Sequence, residues 1–319
     1  MRTESTSVKI PVNSKFKSYF SALYRDVKRD KALYALLILP VLYFVLFHYK
    51  PMYGLQMAFQ DYSLYKGIDG SKWVGFENFR MFFESPYFLR TLKNTVLISL
   101  YQLVFAFPAP IILAVLFNEV IGKRLKKAFQ TACYIPHFVS AVIVTGLVTR
   151  FCATNGIVNV IASLFGAEKQ NYLTMPEYFR GIYTFMTVWQ NTGFDSIIYS
   201  AALMSVDTSL YEAASIDGAN KWKRMVHVTF PSILPTIVTM FIIKLGNFLN
   251  VGADNIILLY QPVTYETADT ISTYIYRVGL ENSQYSLAAA VGLVNGIVGL
   301  ILVYVSNYVS RRVTESSLW

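Results

Sequence analysis

The chain has 319 residues, of which 54% are hydrophobic and 15% are charged, and it carries a formal net charge of +9. Its mean hydropathy of +0.41 is higher than that of a soluble globular domain. The apolar residues are concentrated in runs of about twenty, so the composition excludes a soluble fold and indicates several membrane spans. In such a protein the positive charge predicts orientation and not nucleic-acid binding.

Residues 1–30 are predicted to form a basic cytosolic segment before the first apolar run. Eight Lys and Arg side chains lie within the first 31 residues, with no early apolar core or cleavage site, so the segment is not a signal peptide. Phe16, Phe20, Leu23 and Val27 recur at helical spacing. The segment is therefore either an amphipathic helix in contact with membrane lipid or a flexible basic tail.

Six apolar runs are long enough to cross a membrane, which predicts an all-α integral membrane protein with six transmembrane helices. The predicted spans are residues 33–49, 96–117, 132–149, 181–203, 233–256 and 286–306. They make up a transmembrane domain at 31–310, and a tail at 311–319 follows it.

The basic residues of the loops predict the orientation of these spans. The N-terminus, the loops after the second and fourth spans and the C-terminal tail hold 17 Lys and Arg residues, whereas the longer opposite side holds at most ten. The positive-inside rule therefore places both termini and the loop at 205–231 in the cytoplasm, with the protein as a multi-pass component of the plasma membrane.

Two loops stand out between the spans. The outer loop at 51–91 is too aromatic and too charged for a flexible spacer, so it is predicted to fold into a cap. The loop at 205–231 is predicted to contain two short helices, because three alanines favour helix and Gly218 interrupts it. Pro231 and Pro235 are predicted to stop the second helix before the fifth span.

The loop at 205–231 resembles the "EAA" loop of ATP-binding-cassette (ABC) importer permeases, in which Glu-Ala-Ala is followed at fixed spacing by Gly and by Ile-x-Leu-Pro. Gly218 and Pro231 fall on that spacing, and Val228 and Phe230 stand for the Ile and the Leu. The resemblance implies a type I ABC importer permease with a cytosolic coupling helix that fits a groove on a partner ATPase. The alternative is an ordinary connector between spans. The residues that the resemblance assigns to coupling are Glu212, Ala213, Ala214, Asp217, Gly218 and Ala219.

Four further stretches, at 48–54, 134–137, 265–279 and 316–319, resemble the polysaccharide and oligosaccharide permeases of Gram-positive bacteria, within the maltose-type carbohydrate importers. The resemblance implies a heterodimer with a second permease subunit, two cytosolic ATPases and an extracellular lipid-anchored solute-binding protein. It also implies that the outer loop at 51–91 meets that binding protein. The cap without a binding role stays an alternative.

No catalytic motif is present in the sequence, which predicts a transport subunit and not an enzyme. The phosphate-loop pattern Gly-x4-Gly-Lys-Ser/Thr is absent, so ATP and Mg²⁺ are expected on the partner ATPases and no cofactor in this chain. Two alternatives stay open. One is a permease for another small polar solute, such as an amino acid or a peptide, and the other is a membrane scaffold or intramembrane enzyme that only resembles a permease.

Polar residues inside the fourth and fifth spans are candidates for the substrate path. A charge at mid-membrane costs about 2.5–3.5 kcal/mol on insertion scales, so Asp195 and Lys244 are expected to face protein or water, and one possibility is that they pair. Aromatic and amide side chains bind sugar rings and hydroxyls, although the same amides also join helix to helix. The residues predicted to line the path are Trp189, Gln190, Asn191, Asp195, Asn247, Asn250, Asp254 and Asn255.

Overall fold

The structure is a computed structural model that describes residues 25–120 and 122–313. The chain forms two units, which divide after residue 56. The predicted amphipathic stretch up to residue 24 and the stretch at 316–319 lie outside the described residues. In the first unit the chain is helical from residue 31 onwards, through Lys31–Phe44, the π turn Val45–Tyr49, Lys50–Met52 and the beginning of the 3-10 stretch Tyr53–Phe59.

The second unit contains two short strands and many helices. The strands Gln60–Asp61 and Lys72–Trp73 pair in antiparallel fashion. The α-helices are Gly67–Gly70, Glu77–Phe83, Phe88–Tyr101, Pro108–Glu119, Lys123–Tyr134, Ala141–Cys152, Ile157–Leu164, Pro176–Met204, Thr208–Ile216, Lys221–Arg224, Phe230–Gly246, Ala253–Leu259, Tyr265–Ala268, Ile271–Tyr276 and Tyr285–Val313. The turns of other helix types are the π turns Gln102–Ala106, Met225–Thr229 and Arg277–Glu281 and the 3-10 turns Ile135–Phe138, Tyr172–Thr174 and Pro262–Thr264.

Within the described residues, five helical stretches are long and apolar enough to cross a membrane. The first, second, third, fifth and sixth spans are Lys31–Phe59, Phe88–Glu119, Ala141–Leu164, Lys221–Gly246 and Tyr285–Arg312. The fourth span, Pro176–Met204, is more polar, but its 29 residues make a helix about 43 Å long, enough to cross the hydrocarbon core. The architecture confirms an all-α membrane protein and is consistent with six transmembrane helices.

Two predicted span boundaries are wrong. The third span begins at Ala141 and not at residue 132, because residues up to Tyr134 belong to a separate amphipathic helix and a 3-10 turn containing Pro136 follows it. The fifth span ends at Gly246 and not at residue 256. Asn250 therefore lies beyond the end of the fifth span.

Pro231 and Pro235 do not stop the helix that leaves the loop at 205–231, contrary to the prediction. The fifth span continues through both prolines, and a π turn at Met225–Thr229 precedes the first of them. In this turn the N–H of Phe230 bonds to the carbonyl of Met225. In a π turn each N–H bonds to the carbonyl five residues earlier instead of four. This change of pattern comes directly before Pro231, which has no N–H to donate, and the helix continues through both prolines.

The second unit is arranged around the fourth span. This helix packs along Pro108–Glu119 of the second span, along the fifth span and along the helix Lys123–Tyr134. Gly193 allows the last of these contacts, because a Cβ at this position would collide with the backbone carbonyl of Cys133. Apolar side chains of the second, fourth and fifth spans fill the adjacent core, and they include Ile111, Tyr199 and Ile233. The fourth span is thereby held with a fixed face towards the second and fifth spans.

Candidate functional site

One face of the fourth span carries polar side chains at intervals of four residues. Tyr183, Thr187 and Asn191 line one cavity, the small cavity. Asp195 follows one turn further along and lines a neighbouring cavity, the large cavity. Residues four apart lie on the same face of an α-helix, so the stripe follows directly from the sequence spacing.

The small cavity has a volume of about 220 Å³ and lies between the second, fourth and fifth spans. Five of the singled-out polar residues line it, namely Asn191, Lys244, Asn247, Asn250 and Asn255. Asn255 lies in the helix Ala253–Leu259, beyond the end of the fifth span. Amides from three separate segments therefore converge on one polar space.

The large cavity has a volume of about 620 Å³ and adjoins the small one, because Lys244 and Asn247 line both. Asp195 faces it from the fourth span. Within the described residues, the carboxylate oxygens of Asp195 lie more than 4.0 Å from the Nζ of Lys244, which is too far for an ion pair. Both charges face one cavity, and direct pairing between them stays a prediction.

Three of the predicted path residues line neither of these cavities. Trp189 is 45% exposed on the surface of the chain. Gln190 is buried, and its Nε2 donates a 3.2 Å hydrogen bond to the carbonyl of Val139, which joins the fourth span to the segment before the third. Asp254 is exposed. Consecutive helical residues point about 100° apart, so Trp189 and Gln190 cannot share the face that Asn191 presents.

His137 contacts the polar stripe from the turn Ile135–Phe138. Its Nδ1 lies 3.0 Å from Oδ1 of Asn191, and its ring stacks on Phe194 with 4.0 Å between the ring centroids. The Nδ2 of Asn191 donates at 3.2 Å to the carbonyl of Thr187. Protein contacts thus hold both ends of the Asn191 amide and fix its orientation at the cavity wall.

A buried carboxylate forms a charge cluster between the second span and the segment that leads to the sixth. Asp269 is completely buried and accepts hydrogen bonds from Arg90 at 2.8 Å, from Arg277 at 3.0 and 2.8 Å, and from the hydroxyl of Thr273 at 3.0 Å. Burial alone would lower the pKa of Arg277, but the hydrogen bonds and the attraction to Asp269 outweigh it and raise the pKa above its ordinary value. None of these residues was predicted from the sequence to have a functional role.

Asn94 extends the charge cluster to the fourth span. Its Nδ2 donates to the backbone carbonyls of Asp269 at 3.0 Å and of Glu266 at 2.9 Å, and its Oδ1 accepts from Arg180 at 2.8 Å. Three segments far apart in the sequence are therefore joined through Asn94, and the hydrogen bond from Arg180 is charge-assisted.

The loop at 205–231 contains the two predicted helices. Asp207 caps the first, Thr208–Ile216, and its carboxylate accepts the N–H of Ser209 at 2.9 Å, which lowers the pKa of Asp207. Gly218 ends this helix with a φ of +76°, a conformation that favours glycine. The N–H of Ala219 bonds to the carbonyl of Ala214 at 2.9 Å, which completes a Schellman turn.

Side-chain hydrogen bonds brace the two helices of the loop against each other. The hydroxyls of Tyr211 and Thr229 lie 3.1 Å apart, and Arg224 donates to Ser215 at 2.9 Å. An ion pair of 3.3 Å joins Lys221 to Glu119 at the end of the second span. The loop is therefore in contact with the end of the second span, in addition to its chain connections to the fourth and fifth spans.

The exposed surface of the loop at 205–231 combines acidic and apolar side chains. Glu212, Ala213 and Asp217 are exposed, whereas Ala214 and Ala219 are half-buried. Ile216 is 87% exposed and Trp222 is 69% exposed. Within the part of the chain that the structure describes, no group of three or more His, Cys, Asp or Glu residues is arranged to hold a metal ion.

Comparison with known proteins gives consistent matches over most of the chain. Residues 106–315 match the family "binding-protein-dependent transport system inner membrane component". A crystal structure of a bacterial ABC transporter involved in the import of the acidic polysaccharide alginate is 48% identical, with a TM-score of 0.84 over 92% of this chain and 99% of that one. A second structure, of a bacterial alginate ABC transporter with an alginate pentasaccharide-bound periplasmic protein, is 47% identical, with a TM-score of 0.85 over 93% and 99%.

A curated relative from Bacillus subtilis supports the same assignment. The polygalacturonan/rhamnogalacturonan transport system permease protein YteP is 41% identical over 292 residues, which cover 91% of each chain. The loop with its Schellman turn and the large cavity beside the fourth span lie within the region that the family match covers. The small cavity also has lining residues before it, Ser99, Gln102 and Leu103. The chain is therefore a multi-pass membrane protein that belongs to the binding-protein-dependent transport system inner membrane components, the permease subunits of ABC importers.

Proposed function

We propose that this chain forms one part of the translocation path of an ATP-driven importer whose cargo is an acidic oligosaccharide. The similarity to transporters of alginate and of polygalacturonan supports an acidic carbohydrate as the cargo. The small cavity beside the fourth span is lined by amides suited to hydroxyl groups.

Lys244 is the observation that carries the proposal. It borders both the small and the large cavity, and among the residues that the structure describes it is the one Lys or Arg that lines either of them. A carboxylate of a uronic acid residue would find its counter-charge there, while the Asn residues around it meet the hydroxyls. A few such contacts suit a transport path, because the cargo has to be released again.

The energy for transport would come from two partner ATPases that bind the loop at 205–231. Its exposed Glu212 and Asp217 would set the register of docking, and Ile216 and Trp222 would supply apolar contact area. A second permease subunit would complete the path. Both termini then lie in the cytoplasm, so a reporter fused after Trp319 should be active only there, and activity outside the cell would refute this orientation.

The outer loop would meet the binding protein that delivers the cargo. Its small hairpin is stabilised by Phe59, which stacks on Trp73 with 5.5 Å between the ring centroids, and by Asn78, which donates to the carbonyls of Ala58 and Gln60. Trp73 remains 60% exposed. A rigid, folded surface with an exposed aromatic residue suits docking of a protein partner.

Uptake by the complete reconstituted importer tests the proposal. With its partner permease, ATPases and binding protein, the wild type should import an alginate pentasaccharide or an oligogalacturonate faster than a neutral arabinooligosaccharide. Lys244→Met should lower uptake of the acidic sugars, and Lys244→Arg should retain most of it. Lys93→Met is the matched control, because Lys93 is exposed on the second span and lines neither cavity. Equal loss of neutral and acidic uptake in Lys244→Met would refute the role of its charge.

A further inference from the structure

Gln102 occupies an unusual backbone position in the second span. It begins the π turn Gln102–Ala106, in which the N–H of Phe107 bonds to the carbonyl of Gln102 at 3.0 Å. Pro108 follows and has no N–H to continue the α-helical pattern. The additional residue in a π turn changes the direction of the side chains around it, and such turns are frequent at functional sites. In this chain the turn brings Gln102 to the wall of the small cavity.

The carboxamide of Gln102 has no partner in the part of the chain that the structure describes. The residue is only 8% exposed, yet neither its Nε2 nor its Oε1 makes a hydrogen bond. Three other amides of this cavity differ, since Asn191 is held through both polar atoms, Asn247 through its Nδ2 and Asn250 through its Oδ1. Buried amides are normally hydrogen-bonded, so a carboxamide that faces a polar cavity with both ends unused is suited to a ligand.

We propose that Gln102 contacts the cargo directly and hydrogen-bonds sugar hydroxyl groups as they pass through the small cavity. A carboxamide offers two donor hydrogens and one acceptor oxygen, which match neighbouring hydroxyls that each donate and accept. Lys244 lines the same cavity, so one uronic acid ring would meet Lys244 with its carboxylate and Gln102 with its hydroxyls. The inference rests on the proposed function and adds a recognition residue on the second span.

The test uses the complete reconstituted importer with Gln102→Leu, which keeps the size of the side chain but removes its hydrogen bonds. Uptake of each oligosaccharide that the wild type moves should fall about tenfold, as expected for the loss of one or two hydrogen bonds. Binding-protein-stimulated ATP hydrolysis and the melting temperature should be retained. Ser200→Ala is the matched control, because the Ser200 hydroxyl is also buried without a partner but lines neither cavity. It should leave uptake unchanged.

Unchanged uptake in Gln102→Leu would overturn the inference, and so would a loss of uptake that is accompanied by equal losses of ATP hydrolysis and melting temperature. The probes are an alginate pentasaccharide, an oligogalacturonate and a neutral arabinooligosaccharide. If the wild type moves only the neutral sugar, the proposal of an acidic cargo fails. The effect of Gln102→Leu on uptake of the neutral sugar still tests the role of Gln102, because all three oligosaccharides carry hydroxyl groups. A wild type that moves none of them would overturn both.

Discussion

Replacement of Asp269 by Asn should destabilise the protein strongly, because it leaves two arginines without their common counter-charge. Asp269 is fully buried, and Asn keeps its shape but not its negative charge. Removal of one partner from a buried ion pair costs about 3–5 kcal/mol. The side chains of Arg90 and Arg277 keep 32% and 18% of their exposure, so water would partly solvate them. We therefore expect the lower end of the range, about 3 kcal/mol.

Thermal unfolding in a single detergent, followed by intrinsic fluorescence, measures this loss. At about 2–4 °C per kcal/mol for a chain of a few hundred residues, Asp269→Asn should lower Tm by roughly 6–12 °C. The control is Glu84→Gln, which removes an ion pair to Arg80 of 2.9 Å whose side chains are 65% and 67% exposed. Exposed pairs contribute little, so this variant should keep the Tm of the wild type. Equal Tm values for both variants would refute the argument that burial makes the Asp269 cluster important.

Three further predictions concern the fourth span and the loop that follows it. Gly193→Ala should destabilise the protein by about 1–3 kcal/mol, because the added methyl group would collide with the backbone of Cys133. Gly146→Ala is the control: there is open space for its added methyl group, so it should be neutral or stabilising in the same thermal assay. Gly218→Val should insert normally but abolish uptake or uncouple ATP hydrolysis, because valine is strained at a φ of +76°; a normal uptake rate would contradict a coupling role. If Asp195 and Lys244 interact, Asp195→Asn combined with Lys244→Met should cost less stability than the sum of the two single changes, and simple additivity would exclude a pair.

Local patterns in the sequence were sufficient to predict the two short helices of the loop at 205–231 and the turn between them. Gly218 was predicted to interrupt two helices, and the structure places it at the C′ position of a Schellman turn. The same local reasoning failed at Pro231, because a proline excludes an α-helical hydrogen bond but not a helix whose pattern has been shifted by a π turn. Where such a turn forms depends on tertiary packing, which the sequence pattern does not contain.

The candidate path could be predicted only as a set of residue types. Asn191, Asn247 and Asn255 do line one cavity. Trp189 and Gln190 do not, because a list of polar residues ignores the helical phase that separates neighbours by about 100°. Whether these residues carry the cargo stays a prediction.

Residues that depend on distant partners could not be predicted. Asp269 lies in the stretch 265–279, which resembles a family of permeases but does not show which of its residues is buried, and one of its partners, Arg90, is 179 residues away in the sequence. Gln102 is an uncharged residue in an apolar span, and its burial without a hydrogen bond becomes visible only once the fourth and fifth spans are in place. Long-range contacts of this kind require the tertiary fold.

The backbone contact at Gly193 has a mechanical consequence for the fourth span. This contact divides the 29-residue helix unequally. At 1.5 Å per residue, the part of the helix from Gly193 to Met204, next to the loop at 205–231, is about 17 Å long, and the part from Gly193 to Pro176 is about 26 Å long. If the fourth span tilts as a rigid body about Gly193, a shift of 1 Å at Met204 becomes a shift of about 1.5 Å at Pro176. The position of Gly193 along the helix would then determine how far the end at Pro176 moves for a given displacement of the end next to the loop at 205–231.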